Sequence, residues 1–541
     1  MTKQCRRIGW FGLLLWLAAS LGVMAAPYVS VNGANADYRT FTYYINEPGD
    51  SETVYVDFWP NEANVTKAQV WHNVGRRDRA TLGDQDSVSD PGPAPEGTNY
   101  FVATPMTAGD GGKWYVALPV NKTGAYRLNC RYKVSGDSNW RWAGIRDAAV
   151  VVSPKKARDV ILYEMQANVI NASGDTFETR STFEDFLNPA KPANLDHFTN
   201  LGVNTLWIQP IHPIGSHYCV VDSPGSPYSI QNMWEVAPFH SQGNTREASM
   251  VAFSNFAASA KSKGIDFFFD IIFNHSSWDA EIGRDPNNPS QAASNPTALI
   301  KDLLPQWYSR YVNGAYLPCG EYDYNQADFH YSYPARHAGE IGPAPAERND
   351  FGKWPDVADL YWGTYNALYN PQTDSDSYWD PNAQGADVKR MVEYFAYFGK
   401  YWIEKSGGTL SGFRCDYAQG IPPQAWEYIV NKTRSVKWDF IFMAESLDGG
   451  NVSKRAGRHM DIINQNWVWQ VLGGGYNTTG LRGIIDGNKT DYGYAGIMRG
   501  LINHDQNAPD DVWYSFSRYA VGAVVDGAPP MYQGQELGYR N

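Results

Sequence analysis

A chain of 541 residues with 43% hydrophobic content is too long for one ordinary hydrophobic core, which predicts two or more domains. Its formal net charge of −12, without any block rich in lysine and arginine, excludes the electrostatic footprint of a protein that binds nucleic acid or an anionic membrane surface. Aromatic residues make up 14% of the chain, and their flat rings suit sugars as well as protein cores.

Residues 1–25 have the pattern of an export signal peptide. Lys3, Arg6 and Arg7 precede a long apolar run, and residues 23–25 offer a small-residue cleavage site. We therefore expect a mature chain that begins near Ala26, is secreted or periplasmic, and has no membrane association after cleavage. A retained membrane anchor is the alternative, because the apolar run is close to the shortest length that spans a bilayer.

Export permits disulfides, but the mature chain has only four cysteines, Cys130, Cys219, Cys319 and Cys415. Cys219 and Cys319 both fall in loop-like sequence and are candidates for pairing. Cys415 falls in an apolar strand, which predicts a packed free thiol. The spacings match no metal-binding motif.

Residues 27–155 show no long helical periodicity. Short alternating runs such as TVYVDFW and KWYVALPV are separated by clusters of Gly, Pro, Asn and Asp. This pattern predicts an all-β, immunoglobulin-like sandwich. The polar stretch SPKKARD then indicates a linker to the next domain.

From residue 156 to residue 541, short apolar runs alternate with amphipathic stretches. The amphipathic stretches at 246–263 and 387–404 have apolar residues at helical spacing. Strand and helix in alternation predict a parallel sheet, and this number of units predicts a (β/α)₈ TIM barrel. The apolar runs are VILYEMQ (160–166), NTLWIQP (204–210), IDFFFDIIF (265–273), LSGFRCD (410–416) and DFIFMAE (439–445).

Residues 276–386 interrupt this alternation. The segment is rich in Pro, Asn, Asp, Tyr and Trp and is too long for an ordinary connection. It predicts a small domain inserted after the third barrel strand, above the active-site face of the barrel.

The stretch GFRCDY at 412–417 places opposite charges inside an apolar run. Residues two apart in a strand share a face, so Arg414 and Asp416 point one way while Phe413 and Cys415 point the other. Inward polar side chains at the carboxyl end of a barrel strand line the active site. A structural ion pair is the alternative for this fragment taken alone.

Three further fragments repeat this arrangement. DIIFNH carries Asp270 and Asn274 with His275 at the start of a loop, and IFMAES carries Glu445 at the end of a strand. LINHDQ supplies His504 and Asp505. Each fragment alone is weak evidence, but four in this order around a long insertion indicate a catalytic site.

These four fragments, DIIFNH, GFRCDYA, MAES and INHD, resemble the four short regions of glycoside hydrolase family 13, the α-amylase family. GVNTLWIQPI resembles the second-strand motif of that family, and KWPDVADL resembles a motif late in its inserted domain. SPYSIQNMWEVAP is similar to the stretch that carries a sugar-stacking tyrosine. The N-terminal sandwich resembles the carbohydrate-binding-like modules that often precede such barrels.

The resemblance implies a retaining glycosidase with Asp416 as nucleophile, Glu445 as general acid/base and Asp505 as the carboxylate that stabilises the transition state. Arg414 would keep Asp416 ionised by its charge, and an apolar strand would raise the pKa of Glu445. The implied substrate-binding residues are Tyr228, Asp270, His275, Arg414 and His504.

The sequence also departs from the family pattern. DYAQGIPP lacks the Lys-His pair that many α-amylases carry after the nucleophile, which puts endo-amylase specificity and a tightly held calcium ion in doubt. Asn274 matches a calcium ligand of the family, so a structural Ca²⁺ stays an open alternative. DGAPPMYQGQELGYRN resembles the eighth strand and its loop without an eighth helix, which predicts a barrel incomplete at its C-terminus.

Three functions remain open on this evidence. The first is a secreted α-glucan hydrolase that acts on starch-like polysaccharide or maltodextrins. The second is a transglycosylase on the same scaffold, in which a sugar hydroxyl replaces water. The third is a non-catalytic glycan-binding protein, which has no need for all three carboxylates.

Overall fold

The structure is a computed structural model, and it describes residues 26–82, 99–216, 225–308, 311–312, 315–316, 357–363, 379–446, 454, 456–464, 477–500, 502–505 and 512–538. The predicted signal peptide, the candidate pair Cys219 and Cys319, and most of the predicted insertion lie outside these residues. Cys130 and Cys415 are buried free thiols, so the packed thiol predicted at position 415 is confirmed.

The N-terminal region forms two sheets. Neighbouring strands are antiparallel except for one parallel pair, Thr40–Ile45 with Ala148–Pro154. The five-stranded sheet has the order Ala34–Asn35, Tyr28–Val31, Glu52–Trp59, Trp114–Val120, Thr107–Ala108. The six-stranded sheet has the order Thr40–Ile45, Ala148–Pro154, Gly124–Val134, Val65–His72, Val102–Pro105, with Arg141–Trp142 paired to Gly124–Val134.

One apolar core is shared by the two sheets. Val29 and Val56 come from the five-stranded sheet, and Val70 and Leu128 come from the six-stranded sheet. Alternate residues of Glu52–Trp59 are buried and accessible, because one face packs on this core and the other faces solvent.

Eight parallel strands follow, and the predicted TIM barrel is confirmed. The sheet closes where the last two strands meet, through a parallel bridge between Met498 and Ala528, which lies just before the eighth strand. In this bridge the Ala528 amide donates to the Ile497 carbonyl and the Arg499 amide donates to the Ala528 carbonyl. The barrel strands are β1 (Leu162–Met165), β2 (Thr205–Ile208), β3 (Asp266–Ile271), β4 (Leu410–Cys415), β5 (Ile441–Glu445), β6 (Ile462–Asn464), β7 (Gly496–Met498) and β8 (Pro530–Tyr532).

Helices follow most of these strands. The two amphipathic stretches predicted from the sequence are helical, and the buried residues of the longer one include Met391, Phe395 and Trp402. The helices are α1 (Leu195–Leu201), α2 (Arg246–Ser262), α3 (Ala386–Lys405), α4 (Pro423–Arg434), α5 (Thr478–Asp491) and α6 (Val512–Val524). In the described part of the chain, none of the helices has the length and hydropathy needed to cross a membrane.

Short elements lie between β3 and α3. They are the antiparallel pairs His275–Ser277 with Val357–Asp359, Arg284–Asp285 with Asn288–Ala292, and Tyr311–Val312 with Ala315–Tyr316, and the helical turn Ile300–Leu303. The pair that starts at His275 directly follows β3 and therefore lies beside the carboxyl ends of the barrel strands.

The barrel interior is packed with side chains from alternate strand positions. Trp207, Phe268 and Met443 belong to this interior cluster, whereas Phe413 and Cys415 belong to the cluster between strands and helices. The alternation predicted for β4 is therefore confirmed. Gly412 leaves space for the Phe268 ring inside the barrel, because a Cβ at position 412 would lie 2.5 Å from that ring.

Helix α4 contacts the N-terminal domain through buried polar groups. Glu427 accepts hydrogen bonds from Asn73 Nδ2 at 2.6 Å, Tyr100 Oη at 2.7 Å and Arg127 Nε at 2.8 Å. Asn431, one turn later, accepts from the Ala125 amide at 2.9 Å. These contacts fix the N-terminal domain against the outside of the barrel, next to β4 and β5.

Candidate active site

The charged residues predicted from the sequence gather at the carboxyl ends of β3, β4 and β5. Asp270 lies on β3, Arg414 on β4, Asp416 directly after β4, and Glu445 at the end of β5. Because the strands are parallel and adjacent, their carboxyl ends meet at one edge of the sheet. The structure therefore brings together four of the predicted site residues.

Arg414 is the common partner of three carboxylates. Its Nη1 lies 2.8 Å from Asp270 Oδ1 and 2.7 Å from Asp416 Oδ1, and its Nη2 lies 2.6 Å from Glu445 Oε1. The Arg414 side chain is 1% exposed, so solvent does little to screen these interactions. One guanidinium fork thus fixes three carboxylates relative to one another.

The second oxygen of Asp270 is held from the other side. Trp207 Nε1 donates to Asp270 Oδ2 at 3.1 Å, and the Tyr228 hydroxyl donates to the same oxygen at 3.0 Å. Asp270 therefore links β2, β4 and the loop after β2. Sequence reasoning missed Trp207, although its alternate position in the apolar run NTLWIQP marks it as an inward residue.

The loop after β7 supplies His504 and Asp505. His504 Nε2 lies 2.8 Å from the Tyr228 hydroxyl and 3.3 Å from Asp505 Oδ2, and its ring is parallel to the Tyr228 ring at 5.4 Å. Asp505 is half-exposed. Tyr228 therefore contacts His504 through its hydroxyl, and the Arg414 guanidinium lies 5.9 Å from the centre of the Tyr228 ring.

Sequence reasoning also missed Glu164. This buried residue of β1 lies with its Oε1 2.5 Å from His504 Nδ1 and 3.2 Å from Gln209 Nε2, which donates to it. A charged residue inside the apolar run VILYEMQ is the same signal that marked Arg414, so the sequence contained the evidence.

Glu445 has the environment of a proton donor at neutral pH. Burial raises its pKa to about 7, against the lowering effect of Arg414. Its second oxygen accepts the Tyr417 amide at 2.7 Å, and Tyr417 has a left-handed backbone with φ of 44° that turns this amide toward β5. The raised pKa predicted for Glu445 from its apolar strand is reproduced, but the apolar strand is not its only environment, because Arg414 contacts it directly.

The prediction that Arg414 keeps Asp416 ionised names only one of two opposing effects on the pKa of Asp416. Burial raises the pKa of Asp416 above that of a free aspartate, and Arg414 acts in the opposite direction. Burial also raises the pKa of Asp270 to about 6. One arginine shared by three buried carboxylates compensates each of them only partly.

His275 and Asn274 lie directly after β3. His275 is buried, and its Nδ1 lies 3.2 Å from Asn274 Nδ2. Asn274 Oδ1 is a buried oxygen with no hydrogen-bond partner among the described residues, and a Cβ at Gly420 would lie 2.2 Å from it. An uncompensated buried oxygen is one property of a ligand for a hard cation.

A calcium site needs several such oxygens. Within the ranges that the structure describes, no three Asp, Glu, His or Cys side chains form a group able to hold a metal ion. The calcium ion stays a prediction.

Comparison with known proteins gives sequence relatives and similar folds. No family model matches the chain. The α-amylase MalA of Haloarcula japonica is 23% identical over 410 residues, which cover 74% of this chain and 47% of the relative. α-Amylase 3 of Dictyoglomus thermophilum is 23% identical over 367 residues, which cover 64% of this chain and 58% of the relative. The chain thus spans about half the length of these curated relatives.

Among solved structures, the maltogenic α-amylase AmyB of Thermotoga neapolitana has a TM-score of 0.46 and 19% identity, with coverage of 71% of this chain and 69% of that chain. The sequence relatives and the charged strand ends point to one family. Both relatives are α-amylases, and this chain is similar to members of the α-amylase family of glycoside hydrolases, glycoside hydrolase family 13.

Proposed function

We propose that the protein is a retaining α-glucan hydrolase that cleaves α-glucosidic bonds in starch-like polysaccharide or maltodextrins. The observation that carries this proposal is the convergence of Asp270, Asp416 and Glu445 on Arg414 at the carboxyl ends of adjacent barrel strands. A retaining glycosidase needs one ionised and one protonated carboxyl group on either side of the bond that breaks.

In the first step, Asp416 attacks the anomeric carbon while Glu445 gives its proton to the departing glycosidic oxygen. The products are a glycosyl ester on Asp416 and a shortened glucan with a free hydroxyl. In the second step, Glu445 takes a proton from water, and the water oxygen attacks the same carbon and releases Asp416 as a carboxylate. Two inversions restore the α configuration.

The electrostatics of the site support these two roles. Glu445, with a pKa of about 7, is protonated in a large fraction of molecules at neutral pH and can donate and accept the proton in turn. Arg414 contacts Asp416 at 2.7 Å and favours its ionised form against the effect of burial. The same guanidinium positions nucleophile and acid together.

The remaining predicted residues have places suited to holding a sugar. We assign Tyr228 to stacking on the sugar ring, and the half-exposed Asp505 lies beside His504. We assign Asp505 to stabilising positive charge on the sugar in the transition state. We assign His275 to a hydrogen bond with a sugar hydroxyl, whereas the ring nitrogens of His504 contact Glu164 and the Tyr228 hydroxyl.

Proton NMR of purified protein with maltoheptaose tests the proposal through the configuration of newly formed reducing ends. We expect fresh α-anomer from the wild type and none from Asp416→Asn. Asp266→Asn is the matched control, because Asp266 lies at the opposite end of β3 in a partly exposed ion pair with Lys156. It should leave turnover intact.

A second comparison tests the role of Glu445. Glu445→Gln should slow cleavage of maltoheptaose by at least about 100-fold and cleavage of a 4-nitrophenyl maltoside much less, because an activated leaving group needs no proton. Equal losses on both substrates would contradict the acid role, and normal turnover by Asp416→Asn would contradict the nucleophile.

The same time course separates the two alternative functions. Longer products than the starting glucan would identify a transglycosylase, in which a sugar hydroxyl attacks the glycosyl ester in place of water. Binding of maltoheptaose without any turnover would identify a glycan-binding protein. Fresh α-anomer with shorter products alone supports the hydrolase.

We also propose export of the protein. The support is the sequence of residues 1–25, in which positive charges precede an apolar run and a small-residue site. N-terminal sequencing of the protein from the periplasm or medium of an expressing bacterium tests this, and a first residue near Ala26 is expected. A full-length chain retained in the membrane would contradict the proposal.

A further inference from the structure

A continuous line of hydrogen bonds connects Glu164 to the predicted catalytic carboxylates. Glu164 Oε1 lies 2.5 Å from His504 Nδ1, and His504 Nε2 lies 2.8 Å from the Tyr228 hydroxyl. That hydroxyl donates to Asp270 Oδ2 at 3.0 Å, and Asp270 Oδ1 contacts Arg414 at 2.8 Å. The line starts on β1 and ends at the guanidinium that holds the nucleophile and the acid.

Glu164 favours a proton on Nδ1 of His504. An ionised carboxylate has only acceptor oxygens, so a 2.5 Å contact with Nδ1 requires a proton on Nδ1. Burial by itself lowers the pKa of His504, but the hydrogen bond and the charge of Glu164 outweigh burial and raise that pKa to about 9. Both ring nitrogens therefore carry protons at neutral pH.

Several other charged or titratable groups face His504 from the elements packed around it. Arg414 opposes the imidazolium, whereas the carboxylates favour it. These groups are Asp270 on β3, Arg414 on β4, Asp416 after β4, Asp505 in the same loop, and the Tyr228 hydroxyl. The contact of Glu164 with the ring, at 2.5 Å, is shorter than those of the Tyr228 hydroxyl and Asp505.

A doubly protonated His504 gives the rest of the line a single direction. Its Nε2–H donates to the Tyr228 oxygen, so the Tyr228 hydroxyl proton is directed to Asp270 Oδ2. Burial raises the pKa of Tyr228 well above its ordinary value, which keeps that proton on the hydroxyl. Asp270 then presents its other oxygen to Arg414.

We propose that Glu164 is a positioning residue of this active site, which holds His504 as an imidazolium and thereby fixes the Tyr228 hydroxyl on Asp270 and the orientation of Arg414. The contribution of Glu164 to turnover rests on the proposed function, whereas its effect on His504 does not. The two are measured separately.

The test compares Glu164→Gln with the wild-type chain. Glutamine keeps the shape of the side chain and an acceptor oxygen for Nδ1–H and for Gln209, but it removes the charge. The matched control is Glu536→Gln, since Glu536 Oε1 lies 3.1 Å from His197 Nε2 outside the site and offers the same kind of Glu–His contact. Glu164→Asp is the conservative variant that retains the charge.

The first readout is the titration of His504 in ¹⁵N-histidine-labelled protein, assigned by the signal lost in His504→Gln. We expect an apparent pKa of about 9 in the wild type, a value above 7 in Glu164→Asp, and a fall toward the ordinary 6.5 in Glu164→Gln. Glu536→Gln should leave the His504 titration unchanged. None of these measurements requires glucan turnover.

The second readout is turnover of maltoheptaose at pH 7.5. We expect kcat of Glu164→Gln to fall about 10-fold or more with a smaller change in KM, because misplaced catalytic groups affect the transition state more than binding. Glu536→Gln should keep both constants. A wild-type chain without turnover would refute the proposed function but leave the titration result standing.

The inference is overturned if His504 of the wild type titrates near 6.5, or if Glu164→Gln leaves its titration unchanged. It is also overturned if the titration shifts while kcat of an active enzyme stays the same, since Glu164 would then not position catalytic groups. If Glu164→Gln does not fold, the wild-type and Glu164→Asp titrations still decide the matter.

Discussion

Glu427 offers a sharp test of how the N-terminal domain is held on the barrel. Its carboxylate accepts hydrogen bonds from Asn73, Tyr100 and Arg127. Arg127 and Glu427 are 1% and 2% exposed. Glu427→Gln removes the charge and replaces one acceptor oxygen by an NH₂ group, which donates. At least one of the three buried partners therefore loses its acceptor.

The free-energy cost of Glu427→Gln follows from the burial of the Arg127–Glu427 ion pair. Breaking a buried ion pair by removing one partner costs about 3–5 kcal/mol, because the other charge stays buried without compensation. Arg127 keeps its contact of Nη1 with Asp147 Oδ2 at 3.1 Å. We therefore expect a cost of about 3 kcal/mol, which corresponds to an increase of about 150-fold in the population of the opened interface.

Amide hydrogen exchange measures this opening directly, without the assumption that a multidomain chain unfolds in two states. The Ala125 amide donates to Asn431 and the Arg127 amide donates to Asn73, so both report on the interface. Their protection should fall about 100-fold or more in Glu427→Gln. Amides of the barrel strands should be much less affected.

Glu281→Gln is the matched control for this prediction. Glu281 also pairs with an arginine, Arg246, at 2.7 Å, but that arginine is 27% exposed. Water can solvate the arginine after the change, so we expect a cost of about 1 kcal/mol or less. A drop of less than threefold in protection at Ala125 and Arg127 in Glu427→Gln would refute the argument that this interface depends on a buried charge pair.

Two further predictions concern the barrel interior and the pH dependence of turnover. Gly412→Ala should destabilise the protein by about 1–3 kcal/mol in urea unfolding, because its Cβ would lie 2.5 Å from the Phe268 ring, whereas Gly385→Ala, with open space around its Cβ, should cost far less; equal effects would contradict overpacking as the cause. The profile of kcat/KM against pH should rise as Asp416 ionises and fall above about 7 as Glu445 loses its proton. With a 4-nitrophenyl substrate, Glu445→Gln should lose the alkaline fall, and an unchanged fall in that variant would assign it to another group.

Local periodicity in the sequence identified five of the eight barrel strands and the two long helices between them. It did so because a strand buried on both faces is a short apolar run, and because a helix packed on a sheet repeats apolar residues at 3.6-residue spacing. Strands β6 and β7 escaped this reasoning. Ile462–Asn464 and Gly496–Met498 have three residues each, which is too short for a period to be visible.

The sequence also predicted which residues of the candidate site lie on the inner face and at the carboxyl ends of the strands, but not which of them contact each other. Alternation in a strand placed Arg414 and Asp416 on the inner face of β4, and the parallel arrangement placed their neighbours Asp270 and Glu445 at the same edge. No periodicity in the sequence indicated that Arg414 would serve three carboxylates at once, and this sharing is what leaves the pKa of Asp416 raised by burial.

What the sequence determined by itself was therefore the face of each element and the types of residue on it. The partners were decided by the tertiary structure alone. Glu164 reaches His504 across 340 positions, and Arg127 reaches Glu427 across 300. Side-chain periodicity is a local property of the backbone, whereas the choice of partner depends on the order in which strands close the barrel and on where the N-terminal domain packs against it.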